Sequence, residues 1–186
     1  MPNYCINFLH VIGTREEVDV FLKENNNTLD FNDYIPYPPK WKERDEEFWG
    51  IFEKKSAMTQ EEFVAKWGSF VDAYNAEGGY MWCLSNWGTK SNVSDVVVHL
   101  TTLPSCHYGD DYTYAHIVIS FITAWSPSIP VIKKIMQKYE NLDFEFEWFE
   151  RGMAVCGVLR YDNCDSTDGE KVFTETNSEY HGCFGG

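Results

Sequence analysis

The segment Asp143–Glu150 reads DFEFEWFE and constrains this chain more than any other stretch. Phe144, Phe146 and Trp148 alternate with Asp143, Glu145 and Glu147. A period of two places successive side chains on opposite faces of a strand, whereas a helix would spread the acids and the aromatics around its circumference. The segment is therefore read as a β-strand with one buried face and one wet face, and a sheet has to be built around it.

Other stretches supply that sheet. Residues 3–12 (NYCINFLHVI) are rich in β-branched and aromatic types and stop at Gly13. Val96–Thr102 is β-branched, and Tyr114–Trp125 places Ile117, Ile119, Phe121 and Trp125 on one face. Ala154–Tyr161 follows as a hairpin partner, with one further short strand expected at Lys171–Thr176. Between the strands lie helix signals. Thr14 with Glu17, and Thr59 with Glu62, form capping boxes. The first opens a helix near Arg15 that dies in the Asn25–Asn27 run; the second leads into Phe63, Trp67, Phe70, Val71 and Tyr74 and stops at Gly78-Gly79. A third helix follows Pro127 and Pro130 with Val131, Ile132, Ile135, Met136 and Tyr139 on its apolar face. Three prolines make Asp30–Trp41 an ordered loop, residues 42–55 a short helix or surface insert, and residues 80–95 irregular. The expected class is α+β: an antiparallel sheet with helices on one face and the other face open, or covered by the tail or a partner. Residues 1–160, with an insert at about 40–79, form the expected domain, and 161–186 an acidic C-terminal extension.

Composition narrows the function classes. Aromatics make up 17% of 186 residues, a core-forming content, and a chain of this length buries roughly 70% of its unfolded surface without staples. The net charge of −14 opposes general nucleic-acid binding, which needs Lys and Arg to neutralise phosphates. Residues 141–186 hold ten acids and three bases, so half of that charge lies in the last quarter, as a solvated tail and strand face or as a surface for a basic partner. No run approaches about 18 apolar residues, and the start has neither basic residues nor an unbroken apolar stretch. The six cysteines are accordingly read as reduced thiols of a cytoplasmic protein.

Two loops carry ligand-type chemistry. In Asn86-Trp87-Gly88-Thr89-Lys90, Trp87 offers a flat ring, Gly88 a close backbone approach, and Thr89 and Lys90 a hydroxyl and an ammonium suited to phosphate or carboxylate. The spacing is not that of a P-loop. In Thr123-Ala124-Trp125-Ser126-Pro127, Ser126 is expected to cap the following helix with Pro127 at its first position. If the loops meet, Trp87 and Trp125 form a two-walled aromatic slot with Lys90 at its mouth. The alternative is that Trp87 fills the core and Asn86 ties its own loop. Cys106, His107, Cys164, His181 and Cys183 include no Cys-x-x-Cys pair, so no metal is expected. His99 and His116 lie on neighbouring strands, and His116 shares a face with Tyr114 and Ser120. No spacing requires catalysis.

The motifs Asn3-Tyr4-Cys5-x-Asn7, Asn-Trp-Gly-Thr-Lys at 86–90 and Thr-Ala-Trp-Ser-Pro at 123–127, with Tyr139, Leu142, Phe144, Glu150, Gly152 and Gly157, resemble the YubB-type family of phage and plasmid proteins. Tyr4, Ser91 and Ser128 stand where that family usually has Trp, Trp and Pro. The resemblance implies a ferredoxin-like βαββαβ domain without an iron–sulfur cluster, and a mobile-element accessory protein acting against host defence. It brings no catalytic residue and no cofactor. Three functions follow as expectations: a non-enzymatic binder of a small nucleotide-like molecule, using Asn86–Lys90, Trp125 and Ser126; an acidic module that docks on a basic host protein; or a small hydrolase using His116 or a Cys/His site. A homo-oligomer is compatible with each.

Overall fold

The computed structural model describes residues 3–54, 58–77, 79–101, 114–162 and 171–179. Among the described residues six strands and five α-helices follow in the order β1 (Tyr4–Thr14), α1 (Arg15–Glu24), α2 (Pro39–Lys54), α3 (Gln60–Glu77), α4 (Gly79–Asn86), β2 (Ser94–Thr101), β3 (Tyr114–Ala124), α5 (Ile129–Lys138), β4 (Asp143–Glu150), β5 (Val155–Asp162) and β6 (Val172–Glu179). The strands form one sheet in the order β2-β3-β1-β4-β5-β6, with every neighbouring pair antiparallel. Its first four strands are arranged as a split βαβ pair. The connection from β1 to β2 skips over β3, and α5 carries β3 across β1 to β4. None of the helices is long and apolar enough to cross a membrane among the described residues.

The alternation expected of the sheet is present. In β1, Cys5, Asn7, Leu9 and Val11 are buried while Ile6, Phe8 and His10 are half-buried. In β4, Phe144, Phe146 and Trp148 face the core, and Glu145 and Glu147 face away. The inward faces pack on Val18 and Phe21 of α1 and on Val131, Ile132, Ile135 and Met136 of α5, all fully buried. Full burial of each such side chain contributes roughly 1.5–3 kcal/mol, so this layer dominates stability. Both capping boxes form: Thr14 closes on Glu17 at α1 and Thr59 on Glu62 at α3.

Three stretches differ from expectation. Residues 80–95 are not irregular throughout, because α4 occupies Gly79–Asn86. The turn it inserts is short and lacks amphipathic contrast, since Met81, Trp82, Cys83 and Leu84 follow without a break, and periodicity has nothing to detect. The proline-rich loop ends earlier than Trp41, because Pro39 opens α2 at a helix position where its missing N–H costs nothing. Trp125 does not continue the core face of β3; the strand ends at Ala124 and Trp125 turns outward.

One polar side chain crosses the core layer. Asn7 is fully buried on β1, and its Nδ2 donates to Cys5 O at 2.9 Å, Phe121 O at 3.3 Å and Thr123 Oγ1 at 3.0 Å. Buried amides are tolerated when satisfied in this way. Replacing Asn7 with Ala strands those acceptors, and the expected loss is about 1–3 kcal/mol in a urea unfolding experiment. A change below about 0.5 kcal/mol would show that water restores the lost bonds.

Candidate functional site

The two loops meet. Thr123 Oγ1 accepts from Asn7 and donates to Ser126 O at 2.8 Å. Ser126 Oγ donates to Gly88 O at 2.6 Å, and Thr89 Oγ1, fully buried, donates to Ala124 O at 2.9 Å. Gly88 has φ +78°, and an added Cβ would lie 2.9 Å from Pro130 Cδ, so only glycine lets the loop close on the α5 entrance. On this frame the Lys90 ammonium rests 3.9 Å from the Trp125 ring centroid and 5.3 Å from that of Tyr80.

The two walls are not the ones expected. Trp87 is only 3% exposed, and its indole N–H donates to Ile35 O at 2.8 Å. It packs against Phe31, Tyr37 and Trp82 and so belongs to the core behind the site. Asn86 bonds its own helix through Trp82 O. Ser126 is not the cap of α5. Ser128 occupies that position with no side-chain cap bond, Pro130 follows in the first turn, and the Ser126 hydroxyl is committed to Gly88. Of the expected site residues, Lys90 and Trp125 present chemistry outward, while Gly88, Thr89 and Ser126 hold them in place.

Sequence reasoning missed the other side. A cleft of about 380 Å³ is bounded by α2, α4 and the 87–92 loop, with Asp45, Trp49, Tyr74, Tyr80 and Lys90 among its lining. Asp45 accepts from Tyr37 OH at 2.7 Å and from Tyr74 OH. Burial, then these bonds to Asp45, holds both phenols above the ordinary tyrosine range, so both remain donors. Gly79 makes room for this group, since a Cβ there would lie 1.8 Å from the Tyr37 hydroxyl and 2.6 Å from Asp45 Oδ1. Trp49 is 64% exposed and Tyr80 44%. The sequence did hold a signal: Asp45 stands four residues after Trp41 and three before Phe48, inside the apolar stripe of α2, where an acid needs partners. Cys83 also lines the cleft, but burial and then Asp45 push its thiol up to about 12, which keeps it protonated and unreactive at neutral pH.

On the open sheet face His10 Nδ1 and His116 Nε2 lie 3.1 Å apart, and His10 Nε2 is 3.8 Å from Glu147 Oε2. His99 bonds Ser120 at 3.1 Å. No group of three or more His, Cys, Asp or Glu among the described residues could hold a metal ion. The residues Cys106, His107, Cys164, His181 and Cys183 lie outside the described residues. A larger cleft of about 510 Å³ beside α1 and α5 is lined by Glu16, Glu17, Lys138 and Glu140. Two of these side chains are already engaged: Glu17 caps α1, and Lys138 pairs with Glu24.

Residues 107–181 match the family model described as a ferredoxin-like domain in Api92-like protein. The chain carries a ferredoxin-like domain. The matched segment is less than half of the chain and contains β3, α5, β4, β5 and β6. It includes the Trp125 turn, whereas Lys90, Tyr80 and Asp45 precede it. No curated protein and no solved structure matches the chain.

Two expectations follow. Burial first, and then the neighbouring His10, lowers the His116 pKa below its ordinary 6.5. Above that value His116 is neutral in both folded and unfolded chains; as pH falls below it the unfolded chain takes up the proton first, so folding stability declines. His116→Gln should therefore flatten the loss of unfolding midpoint between about pH 6.5 and 5. An unchanged slope would assign the loss to other groups. Among the described residues the buried Ser128 hydroxyl has no hydrogen-bond partner. Ser128→Ala is expected to leave stability unchanged or raise it by up to about 1 kcal/mol by thermal melting, because it removes an unsatisfied polar atom. A clear loss would mean the hydroxyl is satisfied in solution.

Proposed function

We propose that the protein is a non-enzymatic binder that sequesters a small nucleotide-like molecule in the cleft between α2, α4 and the 87–92 loop. The carrying observation is the Lys90 ammonium, stacked on Trp125 and Tyr80 with no carboxylate partner among the described residues and opening on a cleft. In a chain of net charge −14, such a lysine would ordinarily be neutralised by a neighbouring acid. Here it is left for an anion, beside rings suited to stack on a base.

Trp125 adds a second argument. Its φ is +73°, a region that costs a residue with a side chain roughly 1–2 kcal/mol relative to glycine. At 38% exposure, burial recovers little of that cost. Strain held at an exposed aromatic supports a functional side chain. The YubB-type motifs at 86–90 and 123–127 support placing the protein among phage or mobile-element accessory proteins that counter host defence in the host cytoplasm. Docking on a basic protein through the open sheet face is the weaker reading. Glu145 already pairs with Arg160 there, and Glu147 lies beside His10.

The test is calorimetric titration of the protein with nucleoside monophosphates of the four common bases. Binding is expected, and Lys90→Ala and Trp125→Gly should each weaken it about tenfold or more. Trp125→Gly should hold stability within about 1 kcal/mol of the parent, because glycine relieves the backbone strain. Absence of binding by every nucleotide, or binding indifferent to both substitutions, would sink the proposal.

A further inference from the structure

We infer that the cleft selects nucleotides carrying a single negative charge, of the phosphodiester kind, and discriminates against polyphosphates. This rests on the nucleotide-binding reading above and deepens it. Lys90 is the one cation that lines the cleft among the described residues, and its ammonium rests against Trp125 and Tyr80. The lining also carries the opposite charge. Asp45 is held there by the Tyr37 and Tyr74 hydroxyls, with Gly79 leaving the space they occupy.

An anion placed in this cleft therefore meets one ammonium and one carboxylate. A phosphodiester carries one charge, which Lys90 neutralises. A monophosphate ester carries about −1.5 to −2 at neutral pH, and a triphosphate more. Each further charge finds no second cation in the described lining, is repelled by Asp45, and enters the field of a protein of net charge −14. Asp45 also has an attractive role. A carboxylate offers about four lone-pair positions, and two go to the tyrosines. The others suit a donor on the uncharged part of the ligand, such as a sugar hydroxyl or an exocyclic amine. The cleft's volume of about 380 Å³ is at the small end of ligand sites, roughly 300–1,000 Å³, and fits one nucleotide rather than a longer chain.

The experiment titrates the full chain with four adenine compounds of rising charge: adenosine, 3′,5′-cyclic AMP, AMP and ATP. The guanine, cytosine and uracil series follow in the same buffer. The expected order in the preferred series places the cyclic monophosphate first, AMP next and ATP at least about tenfold weaker than the cyclic compound. The uncharged nucleoside should be weaker than the cyclic compound by an amount that disappears in Lys90→Ala. Asp45→Asn keeps an acceptor for the tyrosines and removes the repulsion, so the gap between the cyclic compound and ATP should narrow about threefold or more. ATP binding as tightly as or tighter than the cyclic compound would overturn the inference and leave the nucleotide-binding reading standing. A gap unchanged in Asp45→Asn, with the variant's melting temperature retained, would overturn the role given to Asp45. No binding by any compound in any series would overturn the nucleotide-binding reading itself.

Discussion

A run of hydrogen bonds, buried at Asn7 and part-buried at Ser126, organises the end of this protein that carries the candidate site. It begins at Asn7 in the middle of β1, passes through the Thr123 hydroxyl to Ser126 O, and resumes from the Ser126 hydroxyl to Gly88 O. Beside it, Thr89 bonds Ala124 O, and the Trp125 amide bonds Asn3 O at 3.0 Å. Each link lies in or beside the apolar core, where an unpaired polar atom is costly, so each specifies its neighbour's position. The result reaches from the central strand to the Lys90–Trp125 pair. A cation-on-aromatic contact is soft when exposed; here both partners are carried by backbone that the core holds.

The sheet explains why this run lies where it does. Placing β1 between β3 and β4 brings residue 7 level with residue 121 on one side and with residue 148 on the other. The start of β1, the end of β3 and the β4–β5 turn then gather at one edge of the molecule. At that edge Glu150 is buried, and its carboxylate accepts from the Gly152 and Met153 amides at 2.8 and 2.6 Å. Asn3 packs against Gly152, where a Cβ would lie 2.1 Å from its Nδ2. The ferredoxin-like arrangement thus supplies a stiff platform, and the helices between α1 and β2 supply the other wall of the cleft.

Much of the frame was legible in the residues because it rests on local rules. The alternation in β4 and β1, the Thr14 and Thr59 boxes, and the apolar stripe of α5 each depend on neighbours within a few positions. The helix α4 was illegible for the same reason: a short segment apolar on every side has no period. The site divides likewise. Residues 86–90 and 123–127 were visible as unusual loops. Their internal roles, with Trp87 inward, Trp125 outward and Ser126 tied to Gly88, depend on contacts between positions nearly forty residues apart.

By itself, the sequence determined the class of fold, the strand carrying Glu145 and Glu147, the starts of α1 and α3, and two loops with ligand-type side chains. These follow from periodicity, capping and residue chemistry, which act over a turn or a pleat. Only the tertiary structure decided that the two loops touch, that Trp87 is core while Trp125 is surface, and that Asp45, Tyr37 and Tyr74 converge beneath Lys90's cleft. Those outcomes depend on which faces of distant elements are brought together by burial of the core. Burial is a property of the assembled layers, and no local pattern encodes it.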